Sequence, residues 1–488
     1  MIRRAIREKN SLNDRMDRRL TVSAGKNVPT VGQAAVPISH RKESTLMSEN
    51  DTIAALATAP GEGGIAIVRI SGPEAEKMLS ALVPASHAWE SHRMYYGHAM
   101  DQGEILDECM AVLFRAPRSY TREDVAEIHL HGGAWAARSV LSALYRRGVR
   151  AAEPGEFTRR AFLSGRIDLS RAEAVMALIS ADGQRAARAA VRQLEGGVSA
   201  FIRSAQQKLI SLLSGAAAAI DYPEEISLEE AAGQLEQGAR RLADQLESAC
   251  DERGARIAEQ GLEAVLCGRP NVGKSSLLNA LARQERAIVT AIPGTTRDIV
   301  RADVMIAGLR VHFSDTAGLR EGADVIERIG VDRARQAIAG ADCVLTVLNA
   351  SEPLTDEDRQ LLRDTENAPR IIVLNQCDQT LALHPADFDR PVTVSALTGE
   401  GLAELESRVA AFGAGAGESA LTQQRHMRLA REAAQCLRAA ADACANGAPV
   451  DLAVIDLQQA LQCLGRVTGE QVDEKLLDDI FSRFCVGK

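Results

Sequence analysis

The segment GRPNVGKS at residues 268–275 constrains the fold of this chain more than any other. It follows the apolar run LEAVLC at 262–267 and precedes a helical pattern over residues 276–281. Its glycines let successive backbone N–H groups surround phosphate oxygens, and the N-terminus of the following helix favours negative charge. The segment therefore predicts a P-loop, in which Lys274 reaches the β- and γ-phosphates and the hydroxyl of Ser275 ligates Mg²⁺.

Further nucleotide-binding motifs follow in the order and at the distances that a P-loop GTPase requires. They are GTTRD at 294–298, DTAG at 315–318, NQCD at 375–378 and SAL at 395–397. Asp315 ends an apolar strand and is expected to hold the magnesium ion through water, while the Gly318 amide can reach the γ-phosphate. Thr295 and Thr296 lie on a polar loop that can close over the metal. These two segments predict a nucleotide-dependent switch.

The base is predicted from the NQCD motif. Asn375 and Asp378 follow the apolar stretch 371–374. A carboxylate at this position accepts hydrogen bonds from N1 and N2 of guanine, and adenine lacks that donor edge. The motif therefore indicates GTP rather than ATP.

Leu319 stands where many small GTPases carry a glutamine that orients the attacking water. An apolar side chain cannot do this, so the acidic segment 321–328 is the nearest source of a replacement. Residue type alone favours the alternative that Glu321, Asp324 and Glu327 form an ordinary solvated face.

Length and composition place these motifs in a larger protein. The 488 residues suffice for about three domains. A net charge of −9 excludes a protein whose whole surface binds nucleic acid, so such contact is local or supplied by a partner. Nine cysteines without a C-x-x-C spacing suit a reducing, cytoplasmic location, and no apolar run reaches the length of a membrane span.

The pattern along the chain predicts a multidomain protein of α/β and all-α parts, in which a Ras-like GTPase domain is inserted into a discontinuous helical domain. Short apolar runs with glycine and proline indicate the α/β domain, and Ala- and Leu-rich helical patterns occur on both sides of the GTPase motifs. Ser227 with Glu230 and Thr468 with Gln471 are candidate capping boxes. The GAGAG segment at 413–417 is predicted to be a flexible exit. The expected boundaries are a disordered extension at 1–46, an α/β domain at 47–166, helical parts at 167–260 and 413–488, and the GTPase domain at 261–412.

The Arg-rich residues 1–46 admit a second interpretation as a mitochondrial leader, but acidic residues interrupt them and such leaders avoid acids.

Three motifs outside the GTPase unit resemble the MnmE (TrmE) tRNA modification GTPase family. They are GEGGI at 61–65 with RISG at 69–72, EPGEFT at 153–158 with RAF at 160–162, and the terminal FCVGK at 484–488. The resemblance covers residues 51–488. It implies a homodimer formed through an N-terminal folate-binding-like domain, and a flavoprotein partner, MnmG (GidA). It also implies that an aminomethyl or carboxymethylaminomethyl group is installed at carbon 5 of the wobble uridine of certain tRNAs.

The same resemblance implies a pocket for 5-formyl- or methylene-tetrahydrofolate at Arg69, Glu127, Arg166 and Lys488. A carboxylate such as Glu127 suits the donor edge of a pterin, and cations suit the glutamate tail. Without the family resemblance, residue type favours a surface cation for Arg69 and an ordinary polar residue on a strand face for Glu127. His129 and His131 share a strand face, but no third metal ligand is near in sequence.

Two catalytic residues are implied by the resemblance. Glu327 aligns with the hydrolytic residue of the family, and Cys485 with a cysteine that is important for tRNA modification. The alternative for Cys485 is a small residue that packs the last turn, although Lys488 lies close to the thiol in sequence.

The resemblance also implies K⁺. No arginine near the P-loop must serve as a charge-neutralising finger, yet the charge that develops between the β- and γ-phosphates must still be neutralised. The Asn271 carbonyl and loop 290–295 can surround a cation; by spacing alone Asn271 is equally a turn residue. K⁺ is expected at Asn271, Thr290, Ile292 and Thr295, and Mg²⁺ at Ser275 and Thr296. The nucleotide is expected to contact Asn271, Val272, Gly273, Lys274, Ser275, Ser276, Thr290, Ala291, Ile292, Pro293, Gly294, Thr295, Thr296, Asp315, Thr316, Ala317, Gly318, Asn375, Asp378, Ser395 and Ala396.

One residue departs from the family. Gln376 stands where a lysine normally covers the guanine face, so nucleotide affinity is in doubt while guanine specificity is expected to persist. A different class of function stays open, a regulatory GTPase switch in ribosome assembly, since such proteins share GTTRD and DTAG. They usually add a basic or aromatic RNA-binding domain, which this chain does not show.

Overall fold

The computed structural model describes residues 51–284, 301–315 and 336–488. The disordered extension predicted at 1–46 lies outside these residues. So do Leu319, Glu321, Asp324 and Glu327, and so do these expected nucleotide and K⁺ contacts: Thr290, Ala291, Ile292, Pro293, Gly294, Thr295, Thr296, Thr316, Ala317 and Gly318.

The N-terminal domain is a six-stranded sheet with helices packed on one face. Its order is β3-β4-β5-β2-β1-β6, antiparallel except for the β1–β6 pair. Apolar side chains of the sheet pack against the first two helices in one core. The elements are β1 (Ile53–Leu56), β2 (Ile65–Ser71), α1 (Ala75–Leu82), β3 (Met94–Asp101), β4 (Glu104–Phe114), β5 (Val125–His131), α2 (Ala134–Arg146), β6 (Arg150–Ala151) and α3 (Glu156–Leu163).

The helical domain is assembled from two separate segments of the chain. The first supplies α4 (Leu169–Ile179), α5 (Gln184–Leu194), α6 (Gly197–Asp221), α7 (Leu228–Ser248) and α8 (Glu252–Gln260); the second supplies α12 (Gln424–Ala445), α13 (Val450–Thr468) and α14 (Glu474–Ser482). Alanine and leucine side chains from α6, α7, α12 and α13 form one buried core. The apolar face of a helix must be buried against another element, and here the helices of each segment bury the apolar faces of the other. This confirms that the helical domain is discontinuous.

A buried ion cluster joins these two segments. Glu173 on α4 accepts hydrogen bonds of 2.6 and 2.7 Å from Arg425 and of 2.7 Å from the ring of His426, both on α12. His426 is 0% exposed. Burial alone raises the pKa of Glu173, but the bonds from His426 and Arg425 outweigh it and lower the pKa to about 2. The carboxylate therefore stays ionised and ties α4 to α12.

The GTPase domain is a six-stranded sheet of order β12-β11-β10-β7-β9-β8, in which only the β8–β9 pair is antiparallel. All seven residues of its strand CVLTVLN at 343–349 are buried, as expected for a parallel strand covered on both faces. The elements are β7 (Leu262–Cys267), α9 (Lys274–Gln284), β8 (Arg301–Ile306), β9 (Leu309–Asp315), β10 (Cys343–Asn349), α10 (Asp356–Asp364), β11 (Arg370–Asn375), a 3-10 turn (Pro385–Asp387), β12 (Val392–Val394) and α11 (Leu402–Phe412).

The GAGAG segment at 413–417, where the chain leaves the GTPase domain, is packed against its neighbours, although its composition predicts a flexible segment. Arg185 and Arg192, both on α5, donate to the backbone carbonyls of Gly413 and Gly417. Ala416 is buried in the core of the GTPase domain. Small residues allow the close approach that places these carbonyls within reach of the arginines, so helix α5 holds the chain where it leaves the GTPase domain.

The capping box predicted at Thr468 is wrong, and the one predicted at Ser227 forms only one of its two hydrogen bonds. Thr468 is the last residue of α13, because Gly469 adopts a left-handed φ of 91° and ends the helix. Helix α14 begins after Asp473, whose carboxylate accepts from the Leu476 amide at 2.7 Å. Ser227 accepts from the Glu230 amide at 3.4 Å, without a reciprocal bond from the Glu230 side chain.

Within the described ranges, no helix is both long enough and apolar enough to cross a membrane.

Candidate functional sites

The P-loop lies at the carboxyl edge of the parallel sheet, between β7 and α9. Lys274 is buried, and its ammonium donates to the carbonyls of Gly268 and Arg269 at 2.9 and 3.1 Å. Gly273 has a φ of 88°, and a Cβ there would lie 2.4 Å from Nδ2 of Asn375, so only glycine fits. These backbone positions form a cradle that fits phosphate groups.

Asn375 connects the P-loop to the loop after β12. Its Nδ2 donates to the Val272 carbonyl at 2.9 Å, and its Oδ1 accepts from the Ala396 amide at 3.3 Å. Because the side chain is almost fully buried, both bonds are made away from water. Asn375 therefore fixes the position of the phosphate cradle relative to the loop after β12.

Asp378 and Ser395 form the candidate base site. The Ser395 hydroxyl donates to Oδ1 of the exposed Asp378 carboxylate at 2.6 Å, and the serine itself is buried. This bond orients the carboxylate of an otherwise exposed residue. Gln376 adopts a left-handed φ of 68°, and its amide nitrogen is 3.9 Å from the position of a Cβ on Gly273. The uncharged side chain thus lies beside the phosphate cradle.

The other described residues that were predicted to bind nucleotide or metal lie on the same edge of the sheet. Asp315 is buried at the end of β9, which pairs with β7, so its carboxylate lies at the same edge as Ser275 at the start of α9. Asn271, Ser275 and Ser276 are exposed at this edge. A hydroxyl and a carboxylate are the donors that Mg²⁺ prefers, so the described residues fit that ion.

The arginine of the P-loop is held away from the cradle. Arg269 pairs with Glu352 and with Asp358, the latter at 3.2 Å. These carboxylates belong to the loop after β10 and to the first turn of α10. Arg269 is therefore engaged on the outer side of the P-loop and cannot serve as a charge-neutralising finger in this arrangement.

A second site lies on the N-terminal sheet. Arg69 on β2 and Glu127 on β5 are register partners, and Nε of Arg69 donates to Oε1 of Glu127 at 2.9 Å. The other carboxylate oxygen is 3.2 Å from Nε2 of His129. Side-chain exposure of the pair is only 16% and 15%. A half-enclosed carboxylate with a guanidinium beside it is an arrangement that fits a planar ring with donor and acceptor edges.

The C-terminal tail closes against this site. Val486 forms an antiparallel bridge with Pro154, Gly155 donates to the Cys485 carbonyl at 3.4 Å, and the Phe157 amide donates to the Lys488 carbonyl at 3.2 Å. Gly487 has a φ of 94°, and a Cβ there would lie 2.1 Å from the carbonyl oxygen of Leu56. The tail is therefore held by backbone contacts, which leave the Cys485 side chain exposed.

The helix that receives the tail is anchored by a buried ionic network. Glu156, at the start of α3, accepts from Arg150 at 2.6 and 3.0 Å and from Arg160 at 3.0 Å, and Arg160 also bonds Asp51 and Glu123. Burial raises the pKa of Glu156, but the bonds from Arg150, the Glu153 amide and Arg160 outweigh it, so the pKa falls below its usual range. The EPGEFT and RAF motifs thus position the tail.

Arg166 joins the site through an aromatic ring that sequence reasoning missed. Its guanidinium lies 4.7 Å from the centroid of Tyr120 and donates to the Tyr120 carbonyl at 3.0 Å. Arg69 lies 5.4 Å from the same centroid and 5.7 Å from that of Phe157. Tyr120 carries no sequence signal of its own, because aromatic residues in such patterns usually belong to the core. Phe157 belongs to the EPGEFT motif, but the motif does not indicate that its ring faces Arg69.

The possible metal site at His129 and His131 is not formed. His131 pairs with Asp107 at 2.8 Å, whereas His129 faces Glu127. Within residues 51–284, 301–315 and 336–488, no three His, Cys, Asp or Glu side chains are grouped so that they could hold a metal ion.

Two family models match the chain over these same parts. The model of the MnmE helical domain matches residues 169–485, and that of the GTP-binding protein TrmE N-terminus matches residues 52–166. The chain belongs to the MnmE (TrmE) family of tRNA modification GTPases. The predicted fold class is thereby confirmed: an MnmE N-terminal domain, a discontinuous helical domain and an inserted P-loop GTPase domain.

Curated relatives extend over nearly the whole described chain. A tRNA modification GTPase MnmE from Listeria innocua is 43% identical over 461 residues, which cover 90% of this chain and 100% of the relative. One from a Synechococcus strain is 45% identical over 453 residues, covering 91% of this chain and 100% of that protein.

Solved structures of other GTP-binding proteins are similar to about a third of this MnmE-family chain. The G domain of the FeoB iron transporter from T. maritima is 25% identical, covering 31% of this chain and 98% of that one, with a TM-score of 0.25. Era from Aquifex aeolicus, bound to GDP and aluminium fluoride, is 28% identical, covering 31% of this chain and 56% of that one, with a TM-score of 0.26.

Proposed function

We propose that this protein is a K⁺-dependent GTPase that acts with the flavoprotein MnmG (GidA) on certain tRNAs in the cytoplasm. The pair installs an aminomethyl or carboxymethylaminomethyl group at carbon 5 of the wobble uridine. A 5-formyl- or methylene-tetrahydrofolate supplies the one-carbon unit. GTP hydrolysis at the P-loop drives rearrangement of the helical domain, in which the GTPase domain is inserted.

The observation that carries the proposal is the closure of the C-terminal tail on the Arg69–Glu127 pair. Nη1 of Arg69 donates to the Gly487 carbonyl at 3.3 Å, so the pair, the tail and the exposed Cys485 belong to one region. A folate would be held by Glu127 at its pterin edge and by Arg166 and Lys488 at its anionic tail. GTPases that act only as switches have no need of such a second site.

The experiment is calorimetric titration of the full chain with 5-formyltetrahydrofolate. Arg69→Ala and Glu127→Ala are expected to abolish binding and to leave GTP hydrolysis intact, because the two sites are in separate domains. Arg93→Ala is the matched control, since this exposed arginine of the same domain pairs with Glu90 at 2.9 Å and lies over the ring of Tyr95, away from Glu127. Undiminished folate affinity in both site variants would refute the pocket.

The catalytic residues of hydrolysis are proposed from the sequence. Glu327 lies outside the described residues; we propose that it positions the water that Leu319 cannot orient. Turnover of Glu327→Ala with unchanged GTP affinity tests this assignment. K⁺ at Asn271 and the loop 290–295 is proposed to take the place of an arginine finger, which is consistent with the engagement of Arg269 by Glu352 and Asp358.

The proposed homodimer uses the N-terminal domain. One face of its sheet carries exposed apolar side chains from β2, β3 and β4, namely Ile65, Met94, Tyr96 and Met110. Burying such a face against a second copy removes apolar surface from water. The face is shared with Arg69 and Glu127, so dimerisation would bring the two folate sites near each other.

A further inference from the structure

One end of the helical domain exposes a set of large apolar side chains. Helices α6 and α7 are joined there by the turn 222–227, and residues 221–230 are all exposed. Tyr222 is 60% exposed and Ile455, on α13, is 62% exposed. We call this surface the distal end. Its exposed apolar members are Ile220, Tyr222, Ile226, Leu228, Leu452 and Ile455.

Two contacts show that these residues share one end of the bundle. In the first half of α6, Gln206 donates to Glu470 at 3.0 Å, just beyond the end of α13. Since α6 and α13 pack along each other, the end of α6 lies beside the start of α13. Arg240 on α7 likewise reaches Asp442 on α12 at 2.8 Å, so the start of α7 lies beyond the end of α12.

The charge around this apolar surface has one sign. The sequence contains no Lys or Arg from residue 209 to 239 or from 439 to 465. The acidic side chains in these stretches that lie at the distal end are Asp221, Glu224, Glu225, Glu229, Glu230, Asp451 and Asp456. Among the described residues, none of these carboxylates has a basic group within 4.0 Å, unlike Asp244 and Glu247 farther along α7, which pair with Arg438.

The combination of exposed apolar side chains and unpaired carboxylates indicates the class of partner. Phosphate groups of a nucleic acid or of an anionic membrane would meet only negative charge. An apolar patch with an unpaired acidic rim is complementary to a protein surface that carries Lys or Arg around apolar side chains.

We propose that the distal end is the docking surface for the flavoprotein partner, through a basic, apolar-centred patch on that protein. The inference rests on the proposed function, which supplies the partner. The apolar side chains are expected to anchor the contact at its centre, and the carboxylates to steer association and set its dependence on salt.

Binding of the full chain to the purified flavoprotein, measured at two salt concentrations, tests the proposal. Tyr222→Asp/Ile455→Asp is expected to raise the Kd tenfold or more. Glu224→Lys/Glu225→Lys is expected to weaken binding and to reduce its salt dependence. The matched control is Leu381→Asp/Glu366→Lys, which changes an exposed leucine and an exposed glutamate of the GTPase domain and is expected to bind as wild type. Unchanged circular dichroism and basal GTP hydrolysis show that each variant is folded.

The outcomes separate this inference from the proposed function. Wild-type affinity in both distal-end variants would overturn the docking surface and leave the partner assignment intact. Failure of the wild-type chain to bind the flavoprotein would overturn the partner assignment and the docking surface with it. Loss of tRNA binding, or of self-association in sedimentation, with flavoprotein binding unchanged would assign the surface to another occupant and contradict the proposal.

Discussion

Nη1 of Arg69 donates a hydrogen bond of 3.3 Å to the backbone carbonyl of Gly487, which lies 418 positions later in the chain. The bond joins the second strand of the N-terminal sheet to the last residues of the protein. Because the same guanidinium also holds Glu127, a change in the tail is transmitted directly to the carboxylate of the proposed folate pocket.

The tail is expected to be intolerant of a side chain at Gly487. In Gly487→Val, a Cβ would lie 2.1 Å from the Leu56 carbonyl, and the left-handed φ of 94° is also unfavourable for valine. We expect the tail to detach and the affinity for 5-formyltetrahydrofolate to fall at least about tenfold, about 1.4 kcal/mol. Calorimetry measures this, with the exposed Val486→Ala as control. Full folate affinity in Gly487→Val would show that the tail is not part of the pocket.

Because Gln376 stands where the family has a lysine, restoring the lysine is expected to increase the affinity for guanine nucleotides. In Gln376→Lys, a longer aliphatic stem can cover the guanine face, so GDP and GTP are expected to bind more tightly by about threefold to tenfold. Preference for guanine over adenine is expected to persist, because Asp378 and its bond to Ser395 are unchanged. Titration of a fluorescent nucleotide measures both quantities. Equal or weaker binding would mean that Gln376 already covers the base.

Hydrolysis is expected to need K⁺, since Arg269 is paired on the outer side of the P-loop. Neutralising charge between the β- and γ-phosphates is commonly worth on the order of 10²-fold in rate. We therefore expect a difference of that order between matched KCl and NaCl buffers, with K⁺-dependent association in GDP and aluminium fluoride. Equal rates of GTP hydrolysis in both salts, without K⁺-dependent association, would show that K⁺ does not take the place of an arginine finger.

The Glu173 cluster predicts an acid-sensitive junction between the two halves of the helical domain. The pKa of Glu173 falls from an ordinary 4.5 to about 2, which corresponds to about 3 kcal/mol of stability. Because the folded-state pKa is the lower one, this contribution is complete above about pH 4.5 and is lost as the pH falls towards 2. Denaturant unfolding should show a large deficit for Glu173→Gln at pH 7 and a shrinking deficit below pH 4.5. A stability deficit of Glu173→Gln that does not change with pH would mean that the substitution acts through packing rather than through the charge of the carboxylate.

Much of the GTPase site was predictable from the sequence because its motifs are local. The glycines, lysine and serine of the P-loop act through backbone conformation within eight residues, and the strand and helix around it follow from apolar periodicity. Asn375 shows the limit. Its motif predicts a contact with guanine, whereas its two hydrogen bonds to Val272 and Ala396 depend on the packing of separate strands.

The N-terminal site required the fold, because its members are far apart in the chain. Without the family resemblance, nothing at Arg69 or Lys488 indicates that the tail returns to β2. Tyr120 was missed because aromatic residues are usually core residues, and the EPGEFT motif did not show that Phe157 contacts Arg69. The error at Thr468 has a local cause: Gly469 can adopt the left-handed conformation that ends a helix, so the threonine before it closes α13 rather than opening α14.

The most direct test of the account is nucleoside analysis of tRNA from a strain that lacks the gene. We expect the carbon-5 modification of wobble uridine to disappear and to return with the wild-type gene, but not with Arg69→Ala or with the P-loop variant Lys274→Ala. Ribosomal subunit profiles are expected to stay nearly normal. Unchanged wobble uridines together with accumulated subunit precursors would contradict the account and support a ribosome-assembly switch.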